Sequence, residues 1–124
     1  MIPKFRARDQ RGNWHVGLLT FMFGQYAIVN EADENTVYLI DKETIGQSTG
    51  LKDKNGVEIF EGDVLYYIPF ESHINNSIIV FEKGSFCTKM LRNGKLTSVR
   101  FIDSEEYEVI GNVWDNPELL EGTE

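Results

Sequence analysis

The chain has 124 residues, and 12 Lys+Arg against 20 Asp+Glu leave a formal net charge of −8, with 41% hydrophobic residues. That length suits one domain with its own core, and that hydrophobic share excludes a disordered polymer. The acidic balance argues against a binder of nucleic acid or anionic membrane that works by bulk charge.

Residues 4–9 are expected to form a short first strand, followed by a turn at Gly12-Asn13. Val16 to Phe23 is rich in apolar and aromatic residues and reads as a strand. Gly24-Gln25 breaks it, and Tyr26 to Val29 returns as the second arm of a hairpin. Asn30 to Asn35 is a polar connection, and Thr36 to Asp41, β-branched and aromatic, reads as a third strand.

The segment 44–62 is punctuated by Gly46, Gly50, Gly56 and Gly62 and holds no long apolar run. Asp53-Lys54-Asn55-Gly56 fits a type I turn closed by a left-handed glycine. A two-residue Asn-Gly turn would instead set Asp53 opposite Glu58, with like charges facing, so the bulged hairpin is expected. Glu61-Gly62-Asp63 reads as a tight turn in which Asp63 bonds backbone amides after Gly62. It launches a strand from Val64 to Ile68, which Pro69 ends.

The second half reads as a meander. Ser77 to Glu82 is a strand, Lys83-Gly84 a turn, and Ser85 to Leu91 and Lys95 to Ile102 flank Asn93-Gly94. A two-residue turn at Gly94 pairs Arg92 with Lys95, Leu91 with Leu96, Met90 with Thr97 and Thr88 with Val99, and sets Phe86 facing Phe101. A slip of one residue would invert the two faces. Tyr107 to Trp114 is expected as the last strand, with Gly111 a bulge or a point of close approach. Asn116 can cap a short terminal helix that starts at Pro117, with Leu119 and Leu120 to dock it.

The fold class expected is mainly β, one domain over 1–124. Its parts are N-terminal strands at about 1–43, a small SH3-like barrel or strongly bent antiparallel sheet at about 44–114, and a short C-terminal helix at about 116–121. Cys87 is the single cysteine, which suits a reducing cytosol. The first residues lack the apolar stretch of a signal peptide, and no run approaches the roughly 20 residues that cross a bilayer. A cytoplasmic place with no membrane contact is expected.

Three blocks carry a resemblance to a known family. They are Met1-Ile-Pro-Lys-Phe-Arg-Ala7, the long glycine-marked run from Ile45 to Leu65, and Tyr107 to Leu120. Together they resemble the YopX family of phage and prophage proteins. Arg8 stands where that family usually has an aromatic residue, and Ser48 where a bulky apolar one is common. The resemblance implies a phage-encoded, mainly β protein with an SH3-like barrel part, a homo-oligomer of unestablished function. It brings no catalytic or cofactor residues.

Candidate sites are few. His15 and His73 are too far apart in sequence for a metal pair, so no metal or cofactor is expected. Cys87 falls opposite Arg100, which could favour a thiolate, yet an incidental thiol reads better. Asp53, Glu58, Glu61 and Asp63 sit beside glycines and read as turn formers rather than acid–base catalysts, and Gly46, Gly50, Gly56, Gly62, Gly94 and Gly111 are assigned to turns. Lys4, Arg6, Arg8 and Arg11, with Phe5 and Trp14, form a basic N-terminal cluster that could touch a phosphate backbone. The main signal lies in the aromatic residues Phe21, Phe23, Tyr66, Tyr67 and Trp114. Phe21 and Phe23 are expected on one face of their strand with Met22 on the other, and residues apolar on both faces point to a second buried layer or a subunit contact. The expected function is therefore that of a non-enzymatic protein-interaction module that self-associates and meets an unknown host or phage protein. A nucleic-acid-binding β module is the alternative.

Overall fold

The computed structural model describes residues 3–68, 76–92, 95–101 and 104–120, and of 90–92, 95–100 and 120 only the backbone. The chain divides into two compact units, Met1–Ser48 and Thr49–Glu124. Among the described residues the ordered elements are strands, with three short 3₁₀ turns at Lys42–Thr44, Ser104–Glu106 and Pro117–Leu120. No helix among them is long and apolar enough to cross a membrane.

In the first unit, β1 (Phe5–Arg8), β2 (Trp14–Met22), β3 (Gln25–Asn30) and β4 (Val37–Leu39) form an antiparallel sheet in the order β4-β3-β2-β1. β5 (Gly46–Lys52) begins here, with Gly46 and Gln47 pairing to Arg6 and Phe5. Alternation on β1 sends Phe5 and Ala7 to one face, where Ala7, Ile28 and Ile40 are buried and Phe5, Leu19, Tyr38 and Ile45 pack on them. Thr44 closes this core: its hydroxyl accepts the Arg8 N–H at 2.8 Å and donates to the Asp41 carbonyl at 2.7 Å.

The β2–β3 hairpin is as expected, but its turn sits one residue earlier. Phe23 and Gly24 are the two turn residues, with φ of 53° and 75°, and Met22 pairs with Gln25. A two-residue hairpin loop that follows the strand twist needs positive φ at both positions. Phe23 therefore leaves the strand and does not share a face with Phe21.

In the second unit, β5 ends beside β6 (Glu58–Phe60). A five-stranded antiparallel sheet follows, built from β7 (Asp63–Tyr67), β8 (Asn76–Glu82), β9 (Ser85–Arg92), β10 (Lys95–Arg100) and β11 (Tyr107–Asn112) in the order β10-β9-β8-β7-β11. Ile59, Leu65, Ile79 and Phe101 form its buried core, with Phe86, Tyr107 and Val109 packed against them. The β9–β10 register is the expected one, from Lys95 opposite Arg92 to Arg100 opposite Cys87, and the Phe101 N–H donates to the Phe86 carbonyl at 3.0 Å. Lys83 and Gly84 turn the β8–β9 hairpin with φ of 50° and 82°. Asn93-Gly94, Pro69 and His73 lie outside the described residues.

Four expectations are corrected. The expected SH3-like barrel is not closed among the described residues: β10 and β11 are opposite edges of an open sheet. After Ser104–Glu106 the chain pairs with β7, where the Ile68 N–H donates to the Glu106 carbonyl, and no ladder among the described residues joins β10 to β11. The expected C-terminal helix is only the four-residue 3₁₀ turn Pro117–Leu120. The Asn116 side-chain oxygen accepts the Asn112 N–H at 3.3 Å, behind the turn rather than ahead of it, and one turn is too short to repay helix nucleation. β5 is a strand of seven residues where turns were expected. The last strand stops at Asn112, and Trp114 lies in the turn beyond, its N–H donated to the Asn112 side-chain oxygen at 3.0 Å.

The turn residues do specific work. Gly62, at φ 93°, leaves no room for a Cβ because the Trp114 ring lies on it. Its N–H donates to Ile79 and its carbonyl accepts from Val113. Asp63 is buried and accepts the Phe60 N–H at 2.8 Å, an amide that precedes Gly62. At Gly111 the β7–β11 register shifts, and Asn116 and Leu119 occupy the space a Cβ would need, so it is both a bulge and a close approach.

The bulged hairpin at Asp53 is realised as expected. The Gly56 N–H donates to the Asp53 carbonyl and the Asp53 N–H to the Val57 carbonyl, with Gly56 at φ 81°. The buried Asp53 carboxylate accepts from the N–H groups of Asn55 (2.8 Å), Val57 (2.9 Å) and, across to β11, Val109 (2.9 Å). A buried donor left without its acceptor costs about 1–3 kcal/mol. Asp53→Ala is expected to lower stability by about 3 kcal/mol or more in urea unfolding at neutral pH, and Asp53→Asn, which keeps one acceptor oxygen, by less.

Candidate functional site

Sequence alternation concentrates exposed apolar surface in the first unit. Of the nine large hydrophobic residues exposed among the described residues, six lie between Leu18 and Leu39. The β2–β3–β4 register sets Leu18, Val29 and Val37 in one row and Thr20, Ala27 and Leu39 in the next, on the face away from the Ala7–Ile28–Ile40 core. Leu18 is 44% and Leu39 49% exposed. On the core-side face, Phe21 and Tyr26 meet edge to face at 5.0 Å at the end of the hairpin, with Phe21 60% exposed. Phe23 projects from the turn at 91%. This corner of the sheet is thus apolar on both faces and at its tip. The other aromatic candidates, Tyr66, Tyr67 and Trp114, belong to the second unit and are half-buried there, Tyr67 with its ring 5.2 Å from that of Tyr107.

The basic cluster is largely engaged. Arg6 and Arg8 alternate onto the face of β1 that pairs with Val16 and Trp14, and both guanidinium groups lie over the Trp14 ring, at 4.9 and 5.9 Å. Lys4 pairs with Glu31 at 3.5 Å. Arg11 stands apart in the β1–β2 turn, its N–H donated to Asp9.

A site the sequence reading passed over lies at the same turn. His15, considered above only as a metal ligand, has its Nε2 2.9 Å from the Asp9 carboxylate, and its ring stacks on Tyr38 at 3.7 Å and 13°. Asp9 also accepts the N–H groups of Arg11 and Asn13, at 2.9 and 3.0 Å. The His15 hydrogen bond, then that from Asn13, outweigh burial and hold the Asp9 pKa at about 2, below the usual 3.8. The group edges an open cleft of about 730 Å³ that Tyr38 and Leu39 also line. Such a couple orients an imidazole, and here the carboxylate also holds the turn. The signal available in the sequence was an acid and a histidine flanking one short hairpin turn, whose register brings them to the same end.

The remaining candidates stay local. Asp53 and Asp63 bind backbone amides. Burial pushes the Asp53 carboxyl up, but the Val109, Val57 and Asn55 donors and the nearby Lys54 charge together bring it below the ordinary range. Cys87 is half-buried, its Sγ 3.9 Å from the Ser85 carbonyl oxygen. Among the described residues no group of three or more His, Cys, Asp or Glu side chains could hold a metal ion.

The family model described as YopX protein matches residues 4–121, nearly the whole chain. The chain belongs to the YopX family. It is also similar to the crystal structure of protein EF1440 from Enterococcus faecalis, with 31% identity over 98% of this chain and 99% of that one and a TM-score of 0.51. No curated protein matches it. As a YopX family member the chain brings its three family-like blocks to different tasks. The first is β1, whose Ala7 lies in the first core. The second holds the Asp53 and Gly62 turns. The third holds β11, which Asp53 grips.

The Asp9 carboxylate binds a proton less readily in the folded chain than in the unfolded one. Its stabilising contribution is therefore complete above the usual pKa of 3.8 and is lost as pH falls towards about 2. Denaturant unfolding followed from pH 5 to pH 2 is expected to show this loss, and Asp9→Asn is expected to flatten that part of the profile.

Proposed function

We propose that this protein is a non-enzymatic interaction module that self-associates, an accessory protein of a phage or prophage acting inside the bacterial cell on a further protein partner. The observation that carries this reading is the β2–β4 corner, where Leu18 and Leu39 stand exposed on one face, Phe21 on the other and Phe23 at the tip. An exposed apolar cluster with a polar surround is the usual mark of a protein contact. The family match supports the accessory role only through the resemblance stated above and names no activity. The nucleic-acid alternative draws less support: Lys4 meets Glu31 and Arg6 and Arg8 meet Trp14, and Arg11 stands apart from them, so the four form no row.

Light scattering at high micromolar concentration is expected to find a species larger than one chain. Leu18→Ser combined with Phe21→Ser, both at exposed positions, is expected to weaken association about tenfold or more while circular dichroism stays unchanged. A strictly monomeric wild-type chain at that concentration overturns the self-association.

A further inference from the structure

β4 is the free edge of the first sheet. Asn30 donates to Thr36, Ile40 donates to Tyr26, and Ile28 stands opposite Tyr38, so alternate β4 residues turn their backbone groups toward β3. Val37 and Leu39 are the residues between. Their N–H and C=O groups point outward, and no described residue pairs with them. Natural edges are blunted by shortness, charged side chains, proline or a bulge; β4 is short, at three residues, but Val37-Tyr38-Leu39 carries no charge, proline or bulge. The Val37 and Leu39 side chains are exposed on the same face, Val37 extending the Leu18–Val29 row to the rim and Leu39 the Thr20–Ala27 row. The edge therefore offers a ladder and an apolar floor together.

The flanks say what fits. Glu31, Asp33 and Glu34 precede β4, Asp41 and Glu43 follow it, and all five are exposed. Hydrogen bonds from Thr36 and Asn35 hold the Asp33 pKa below the ordinary carboxylate value, so it stays charged. Lys42 and the Lys4 contact to Glu31 offset part of this acidity, and Arg11 lines the cleft beside Tyr38 and Leu39. A second copy would bring the same carboxylates against these, within a chain of net charge −8. We propose that the outer edge of β4 adds an extended, basic segment of another protein as a further strand. Its main chain would pair with Val37 and Leu39, its alternate apolar side chains would lie beside theirs, and its lysines or arginines would face the acidic flanks. This deepens the reading of the corner as an interaction surface, but it does not need the chain to self-associate.

The test uses the full chain and capped octapeptides of alternating valine with lysine or with glutamate. The lysine peptide is expected to bind and to slow hydrogen exchange at the Val37 and Leu39 amides, with the glutamate peptide at least about tenfold weaker. Leu39→Pro removes an outward N–H while leaving the β3–β4 ladder intact. It is expected to weaken binding about tenfold or more with circular dichroism unchanged. Should that variant unfold, Val37→Lys, which sets a like charge against the peptide, is expected to weaken binding similarly. No binding of the lysine peptide overturns the proposal. So does binding that leaves the Val37 and Leu39 amides exchanging freely, and so does binding that survives in the folded variants. Concentration-dependent protection of those amides without peptide also overturns it, because the occupant would then be a second copy. The light-scattering result on the Leu18 and Phe21 variants is read separately, so either idea can fail alone.

Discussion

The carboxylate of Asp53 is held by three backbone N–H groups, two from its own turn and one from Val109, 56 residues further along the chain. An ionised acceptor shared among main-chain donors costs no side-chain partner and sets distances on both sides at once. It ties the hairpin at the start of the second unit to the strand that ends it, while the Lys54 N–H donates to the Tyr107 carbonyl nearby. Ile59, Tyr107 and Val109 all belong to the core between these two stretches. Gly62 adds a second tie, because only a residue without a Cβ lets the Trp114 ring settle on the turn.

The first unit is organised by a different economy. One face of its small sheet encloses Ala7, Ile28 and Ile40, and that uses the apolar residues on a single alternation phase of each strand. On the other phase Ala27 is buried and Val29 half-buried, while Leu18, Val37 and Leu39 are exposed. The short third arm adds an edge whose outward backbone groups lie beside the same residues. In the proposed reading, the acidic setting disfavours pairing of this edge with a second copy and favours a segment of opposite charge.

Local chemistry was readable wherever a few adjacent residues settle a conformation. Asp53 to Gly56 and Lys83-Gly84 behave as their composition demands, and the β9–β10 register follows from two-residue loop geometry alone. Gly111 was readable as a bulge because a lone glycine in an apolar strand has few other uses. Reading failed where a distant partner decides. β5 looks like turns because its glycines carry no strand propensity, and it is a strand because β1 supplies the ladder. Phe23 looks like a strand residue by its bulk, but the turn takes it. Trp114 looks like the last residue of β11, yet it leaves the strand and covers Gly62. Of the candidate site, Phe21 was found by alternation. Leu18, Val37 and Leu39 were not, since apolar residues in a strand are ordinarily core. His15 with Asp9 and Tyr38 was missed because the contact needs three elements to converge.

The residue order alone determined that this chain is a series of antiparallel ribbons, where most of its turns fall and which family it resembles, because those features depend on neighbours within a few positions. Among the described residues, tertiary structure alone decided that the second sheet stays open, that Pro117–Leu120 forms one 3₁₀ turn, and that β4 is left as a bare edge. Each of these depends on which strand a segment finds beside it. Backbone hydrogen bonds between strands are identical whatever their side chains, so the choice of neighbour is made by packing across the whole fold.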